Sequence, residues 1–425
     1  GHEVTLTAPR DLGQKVGGLG VPFLRLPTID ERPELGGEAL STRKGNRWTR
    51  LLDRYRKREV NRLRSLALTD PTDFAQTIDR LQPDALICDV ELHEYIITAY
   101  GRGLKLLLLS QWYSLWDRPG LPYLLHDTIP GQGWAGSRLA LWLSWHKIRW
   151  RRRWLHQKIA LLSFGADRRS TLLALAKQEG FPRRFIRKSF WPGAFTYEGL
   201  PVLAMAPLEM EFPHTPPSFL QYVGPMVYAN RTEKTVAALT AIFEQQERTG
   251  AKLLLCTVST MTGVQDDFLS RLVQAVATRT DWMLVLGLGG KNDELQLPAG
   301  ADNVFTFSYV PQLAVLARAD LSINHGGIHT IHECLHFGVP MLVYSGKRSD
   351  QNGCAARVQY HGLGLMADRD QDAPEAIRAK INYVLTEDSF QEQIMRMQTR
   401  IANYAQKHIL EERITIETTA TPTVT

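Results

Sequence analysis

The residues best suited to chemistry gather in one stretch of the C-terminal half. Tyr309-Val310-Pro311-Gln312 is followed by Asn324-His325-Gly326-Gly327-Ile328-His329-Thr330-Ile331-His332-Glu333, then by Gly338-Val339-Pro340 and Asp350-Gln351. A glycine pair between a strand-like run and a helix-like run allows a tight turn and close backbone approach. A helix opening at Ile328, His329 and Thr330 presents unpaired N–H groups and the positive end of its dipole, which suits an anion and above all a diphosphate. His325, just before the turn, can donate to the same phosphates. Glu333, about one turn into the helix, has two carboxylate oxygens for two ribose hydroxyls. Tyr309 offers a flat face to a nucleobase and Gln312 an amide to a base edge. Asp350 and Gln351, after the next strand, offer a carboxylate and an amide to sugar hydroxyls. Base, ribose, diphosphate and sugar each find a partner in order, which describes a nucleotide-sugar site.

The pieces V-P-Q, H-G-G-x-x-T-x-x-E, G-V-P and D-Q, at this spacing, resemble the C-terminal signature of the family 1 glycosyltransferases, the UDP-glycosyltransferase superfamily. Within it the chain looks most like the bacterial carotenoid- and sterol-type glucosyltransferases. The resemblance implies the glycosyltransferase B fold, two Rossmann-like doubly wound domains facing a cleft. It also implies inverting transfer of a hexose, glucose in the nearest case, from a UDP-sugar to a hydroxyl of a lipophilic small molecule or lipid. No metal and no cofactor beyond the UDP-sugar co-substrate is implied. Carried over by position, His325, Gly326, Gly327, Ile328, His329 and Thr330 line the diphosphate and Glu333 the ribose. Tyr309, Val310 and Gln312 lie at the base, and Asp350 and Gln351 at the transferred sugar. Three positions depart from the family pattern. Tyr309 stands where Trp is usual, and His329 where Asn or Gly is usual. Thr257-Val258-Ser259 replaces a Gly-Ser or Gly-Thr ending, leaving the Ser259 hydroxyl to donate to phosphate.

Inverting transfer needs a general base to take the acceptor's proton. The family places it after the first strand of the N-terminal domain, and the present sequence, opening at Gly1 on a strand-like run, is expected to start after that point. The family's partner aspartate matches Asp89 in Ile87-Cys88-Asp89-Val90, which would orient or support that base; its plainer reading is a helix N-cap. His93, one turn on, reads either as a base from this side or as packing.

Other signals compete. His332-Glu333-Cys334-Leu335-His336 matches H-E-x-x-H, which in a helix can put two imidazoles on one face for zinc, as in a metallopeptidase. Asp368-Arg369-Asp370 has the D-x-D form but falls in a polar turn. The stretch 43–64 carries ten Lys/Arg against Asp53 and Glu59. The stretch 138–158 carries seven Lys/Arg and no acid, with Trp142, Trp145, Trp150 and Trp154 among them. Arg and Trp mixed in this way suit an anionic membrane surface. On a helical wheel Leu141, Ile148, Leu155 and Ile159 form one stripe and Leu139, Leu143, Trp150 and Trp154 another opposite it; one is expected to pack on the domain and the other to line an acceptor pocket or touch lipid. No nucleic-acid recognition motif accompanies the charge, so nucleic acid is not an expected partner.

The elements that must position these residues follow an alternating pattern. Strands are expected at 4–7, 21–26, 85–88, 106–109 and 202–205, with helices at 48–66, 74–81, 91–100 and 142–162. After a Pro-rich patch, strands are expected at 253–257, 283–286, 304–307, 321–323 and 341–344. Helices are expected there at 235–246, 266–277, 312–317, 328–337 and 374–385. Such alternation reads as parallel α/β sheets. The expected division is an acceptor domain over 1–224 lacking its first strand and a nucleotide-sugar domain over 225–388. A helix at 389–410 then crosses back, followed by a disordered Thr-rich tail to 425.

Composition agrees with a two-domain globular chain. The 425 residues are 44% hydrophobic, enough for sizeable cores, and four cysteines are too few and scattered for a disulfide framework. Sparse thiols and the absence of a visible signal peptide point to the cytoplasm, with the basic face meeting the membrane periphery. The net charge of +6 is uneven: residues 1–215 hold 32 Lys/Arg against 22 Asp/Glu, and the remainder 18 against 22. A basic half and a mildly acidic half suit different partners. The alternative to an enzyme is a nucleotide-sugar or lipid-binding module without turnover.

Overall fold

The computed structural model describes residues 2–8, 12–17, 20–26, 52, 55–188, 193–229, 231, 233, 237–257, 267–289, 300–406 and 409–419. Its strands are β1 (Leu6–Ala8), β2 (Phe23–Arg25), β3 (Ala85–Asp89), β4 (Lys105–Ser110), β5 (Ile186–Lys188), β6 (Phe195–Tyr197) and β7 (Val202–Ala204). They continue as β8 (Leu220–Tyr222), β9 (Lys252–Thr257), β10 (Trp282–Gly287), β11 (Val304–Phe307), β12 (Leu321–Asn324), β13 (Met341–Tyr344) and β14 (Gly364–Ala367). The first helices are α1 (Gly13–Val16), α2 (Arg58–Leu68), α3 (Thr72–Leu81), α4 (His93–Gly101), α5 (Arg138–Leu162) and α6 (Arg168–Gln178). Then come α7 (Ala237–Thr249), α8 (Asp267–Ala277), α9 (Gln312–Leu316), α10 (Ile328–Phe337) and α11 (Gln351–Tyr360). The last are α12 (Pro374–Thr386), α13 (Asp388–Gln406) and α14 (Ile409–Thr419). The Thr-rich end is therefore helical through Thr419, where a disordered tail was expected; residues 420–425 lie outside the described residues.

Two compact units are each assembled from separate stretches: 1–109, 146–202 and 412–425 in one, 110–145 and 203–411 in the other. A linear reading of the chain leaves 110–145 with the first half, whereas here it joins the second unit. In the first unit β3 and β4 pair in parallel, with Ala85 opposite Lys105 and Asp89 opposite Leu109. β1 and β2 are parallel, while β5 and β6 form an antiparallel pair.

The second unit holds a six-stranded sheet of order β11-β10-β9-β12-β13-β14, every pairing parallel. β10 is buried along its whole length, and the run of Leu and Val in β9, β10 and β13 is what a sheet covered on both faces requires. One face packs Phe268, Leu272 and Val276 of α8 and Ile377 and Ile381 of α12 against Leu254, Leu284, Ile323 and Leu342. The chain leaves β9 toward β10 on one side and comes back to β12 on the other, so the strand order reverses between β9 and β12. In an open α/β sheet that reversal opens a crevice at the strands' carboxyl ends. Register sets Asn324 beside Thr257 at that point.

The stretch 110–145 is tied into this unit by a buried ion pair. Arg357 on α11 donates from Nε and Nη2 to Glu211 Oε2 at 2.9 and 2.6 Å, and both side chains are wholly buried. Glu211 Oε1 accepts the Ser114 N–H at 2.5 Å and the Tyr222 hydroxyl at 3.3 Å. Arg357 also donates to the Gly353 carbonyl and lies over the rings of Tyr113 and Phe212. A fully partnered pair holds segments together, whereas removing one partner leaves an uncompensated charge. Glu211→Gln is therefore expected to lower unfolding free energy by about 3–5 kcal/mol. Urea unfolding followed by circular dichroism checks this, and a loss below about 1 kcal/mol would show that the pair is dispensable.

Candidate functional site

The site begins where β12 ends. The Asn324 side-chain oxygen accepts the Gly326 N–H at 2.9 Å and turns the chain sharply. Gly326 sits at φ +84°, a left-handed conformation that costs other residues about 1–2 kcal/mol. A Cβ there would also lie 2.8 Å from the Gln351 carbonyl oxygen and 3.1 Å from Val343 Cγ1. Gly327 is the N-cap of α10 and has no side chain to cap the first N–H groups. A Cβ on Gly327 would meet the His325 ring at 2.8 Å, so the missing side chain is what lets the imidazole lie over the turn. His325 is half-buried, and its Nδ1 makes no hydrogen bond of acceptable geometry. Burial lowers its pKa and favours the neutral ring, while the Thr257 backbone pulls the other way.

Glu333 is held from both sides. Arg231 Nη1 donates to its Oε1 at 2.5 Å and Gln312 Nε2 to its Oε2 at 2.5 Å. Arg231 also donates through Nε to Glu233 Oε1 at 3.0 Å. Glu233 Oε2 in turn accepts the N–H groups of Leu313 and Ala314 at 2.9 and 3.3 Å, capping α9. Burial works against the Arg231 charge, yet Glu333 and Glu233 together raise its pKa. Gln312, expected at a base edge, is thus committed to Glu333, with a longer contact to the Thr330 hydroxyl at 3.5 Å. Glu333 was expected to meet ribose with both oxygens; each oxygen already carries one protein donor.

Tyr309 is 71% exposed, a ring with an open face. Val310 is half-buried beside Gly287, and His329 is exposed. Ile328 is buried, so only its backbone is available to a ligand. Asp350 and Gln351 are both buried at the start of α11. The Cys354 thiol donates to Asp350 Oδ2 at 3.2 Å, and burial raises the Asp350 pKa. Gln351 Oε1 accepts the Gly346 N–H at 3.0 Å, which closes the loop after β13. Both side chains therefore brace this loop. Ser259 lies outside the described residues.

Several expectations are corrected. Asp89 does not cap a helix at 91: α4 starts at His93 with Leu92 at its N-cap, and Asp89 Oδ1 accepts the Glu91 N–H at 2.8 Å in a local turn. Burial raises the Asp89 pKa, opposed by that hydrogen bond. His93 is a packing residue. Its Nδ1 meets the Tyr197 hydroxyl at 3.0 Å, its Nε2 accepts the Phe195 N–H at 3.4 Å, and burial lowers its pKa to about 3.

His332 of the H-E-x-x-H pattern is buried against the Tyr113 hydroxyl at 3.3 Å, while His336 is exposed. Among the described residues no three His, Cys, Asp or Glu side chains are placed to hold a metal. Asp368-Arg369-Asp370 forms a turn in which Asp368 accepts the Asp370 and Gln371 N–H groups. On α5 one of the two stripes was expected to pack on the domain, and neither is buried along its length. Leu141 and Trp145 are buried, and Trp145 Nε1 donates to the Leu121 carbonyl at 2.7 Å, but Leu155 and Ile159 are exposed. Sequence reading missed Arg231 and Glu233, which lie in a polar segment taken as linker. Their only signal was opposite charge two residues apart.

Comparison with known proteins now bears on the geometry. Residues 271–409 match the family described as Erythromycin biosynthesis protein CIII-like, C-terminal domain. A zeaxanthin glucosyltransferase of Pantoea ananas is 26% identical over 223 residues, 52% of this chain and 48% of that protein. An uncharacterized UDP-glucosyltransferase of Bacillus subtilis is 27% identical over 169 residues, 40% of each chain. The chain therefore spans less than half the length of these curated relatives. The solved glycotransferase of kitacinnamycin superposes over 97% of this chain and 91% of its own, with TM-score 0.66 and 20% identity.

Over its C-terminal part the chain is similar to family 1 glycosyltransferases. Its fold is glycosyltransferase B. The matched family domain runs from α8 to α14 and contains the turn after β12, α10 with Glu333, and the start of α11. Another solved structure of this fold, glycosyltransferase VinC in complex with DTDP, is 19% identical with TM-score 0.59. In this family setting the turn at Gly326 is the most demanding position. Gly326→Ala is expected to cost about 2 kcal/mol or more from the left-handed backbone and the contact with Gln351. It should also abolish nucleotide binding. Thermal unfolding and calorimetry with UDP check both, and unchanged UDP affinity would remove the turn from the site.

Proposed function

We propose that the chain is an inverting glycosyltransferase moving a hexose, glucose by preference, from a UDP-sugar to a hydroxyl of a lipophilic acceptor. The observation that carries this reading is the uncapped start of α10 at the β9/β12 reversal, beside His325 and one turn before the clamped Glu333. In this mechanism the acceptor oxygen attacks the anomeric carbon from the face opposite the diphosphate. The bond from that carbon to the β-phosphate oxygen breaks, and its electron pair leaves with UDP. The acceptor's proton passes to a general base that Asp89 orients. Preorganised N–H groups of Ile328, His329 and Thr330, with the helix dipole and His325, offset the charge growing on the leaving diphosphate. Tyr309 stacks on the base, with Val310 beside it; Ser259 adds a hydroxyl to the phosphates. Asp350 and Gln351 shape the loop that faces the sugar.

The test is release of UDP from a donor panel with terpenoid and lipid alcohols as acceptors. UDP-glucose with a lipophilic alcohol should be turned over, and Glu333→Ala should lower kcat/KM about a hundred-fold, the loss of a charged hydrogen bond or more. Tight UDP binding without turnover on any acceptor would favour the non-catalytic binding module instead.

A second feature bears on where the acceptor is met. Within the first unit, α5 exposes Trp150, Trp154 and Leu161 at 68, 54 and 75% among Arg151, Arg152, Arg153 and Lys158. Its C-terminal end joins α2 through the Ser65 hydroxyl on the Ala166 carbonyl and through Tyr55 against Phe164. α2 adds exposed Val60 and Leu63 with Arg58 and Arg62. Indoles among cations suit an anionic lipid surface. No described helix is long and apolar enough to cross a membrane, so contact would be with the surface. Co-sedimentation with phosphatidylglycerol vesicles should exceed that with phosphatidylcholine and fall at least several-fold in Trp150→Ser/Trp154→Ser. Equal binding to both vesicles, or none, would contradict it.

A further inference from the structure

We propose that Arg231 is a positioning residue that makes Glu333 read a ribose diol, so that the site takes ribonucleoside rather than 2′-deoxyribonucleoside diphosphate sugars. The inference rests on the donor reading above and adds to it the residue that sets nucleoside choice. A carboxylate has about four lone-pair directions, two on each oxygen. Arg231 takes one on Oε1 and Gln312 one on Oε2, both at 2.5 Å. One acceptor direction remains on each oxygen, and two neighbouring hydroxyl donors are what such a carboxylate can satisfy. A 2′-deoxyribose supplies one hydroxyl there and leaves a largely buried carboxylate oxygen short of a donor, which a polar site penalises strongly.

Arg231 can do this because it is anchored. It bridges two carboxylates, and Glu233 is itself fixed on the amides that open α9. The same α9 carries Gln312, so one short helix delivers one donor to Glu333 directly and the other through Glu233 and Arg231. The Arg231 side chain stays 37% exposed while Glu333 is only 8% exposed, so the guanidinium is the solvent-facing partner of the pair. Lys in its place would keep the charge and lose the fork that spans both partners, so it can do only part of this work.

The experiment is calorimetry of the full chain with UDP and with 2′-deoxyuridine diphosphate. The wild type should bind UDP about ten- to a hundred-fold more tightly. Arg231→Met should weaken UDP and shrink that ratio to about three-fold or less, Arg231→Lys should restore part of it, and Glu233→Gln should give an intermediate ratio. Circular dichroism and Tm report whether each variant is folded, and Arg231→Lys and Glu233→Gln keep the test decisive if Arg231→Met is not. A wild type that binds UDP and its 2′-deoxy analogue alike would overturn the proposal while leaving the donor site standing. So would variants that weaken both ligands in the same proportion, since that marks a merely structural arginine. A wild type that binds neither would remove the donor reading itself.

Discussion

The left-handed turn at Gly326 is the constraint from which the rest of the site follows. β12 must end and α10 begin within two residues, next to the backbone of Gln351 on one side and under the His325 ring on the other. Only a residue without a side chain fits the first position, and only one without a Cβ leaves the ring its place at the second. The turn aims the helix start, and the helix start fixes Glu333 one turn later. Hydrophobic packing of α8 and α12 on the sheet gives the strands their alignment, and the register Asn324 to Thr257 puts the turn at the strand-order reversal.

Away from this turn the unit relies on a buried ion pair whose charges are matched. Arg357 and Glu211 share partners from 110–145, 203–222 and α11, and their charges are covered by Tyr113 and Phe212. Isolated, either charge would cost several kcal/mol in the interior; together they specify which segments belong to the unit. Glu333, Arg231, Gln312 and Glu233 repeat the device with a half-exposed arginine, holding the buried Glu333 carboxylate from both sides. The buried and neutral His332 against Tyr113 shows that an H-E-x-x-H string can arise from one core histidine, one clamped glutamate and one exposed histidine.

The second unit was legible in the sequence because its strands are short, unbroken apolar runs between turn residues. The expected strands at 304–307 and 341–344 and the helix at 328–337 coincide with β11, β13 and α10. β14 and α11 were not foreseen: Gly364 opens a strand of only four residues, and α11 is rich in Gly, Ala and Gln without an amphipathic stripe. β5, β6 and β8 are shorter still, at three residues each. The turn itself was readable because a glycine pair between an apolar strand and a helix-like run has few other roles. The partners of Glu333 and Gln351 were not, since Arg231 reaches Glu333 from 102 positions away and Gln351 turns its oxygen onto its own loop. Long-range hydrogen bonds leave no period in a sequence.

The central claim is that the bare amides after Gly326 receive a diphosphate. Amide hydrogen exchange of the full chain with and without UDP tests it most directly. Slowed exchange concentrated at Gly327, Ile328, His329 and Thr330, with Leu313 following as Gln312 and Glu333 settle, is the expected result. Unchanged exchange at those amides under saturating UDP, or protection confined to another part of the chain, would contradict the account.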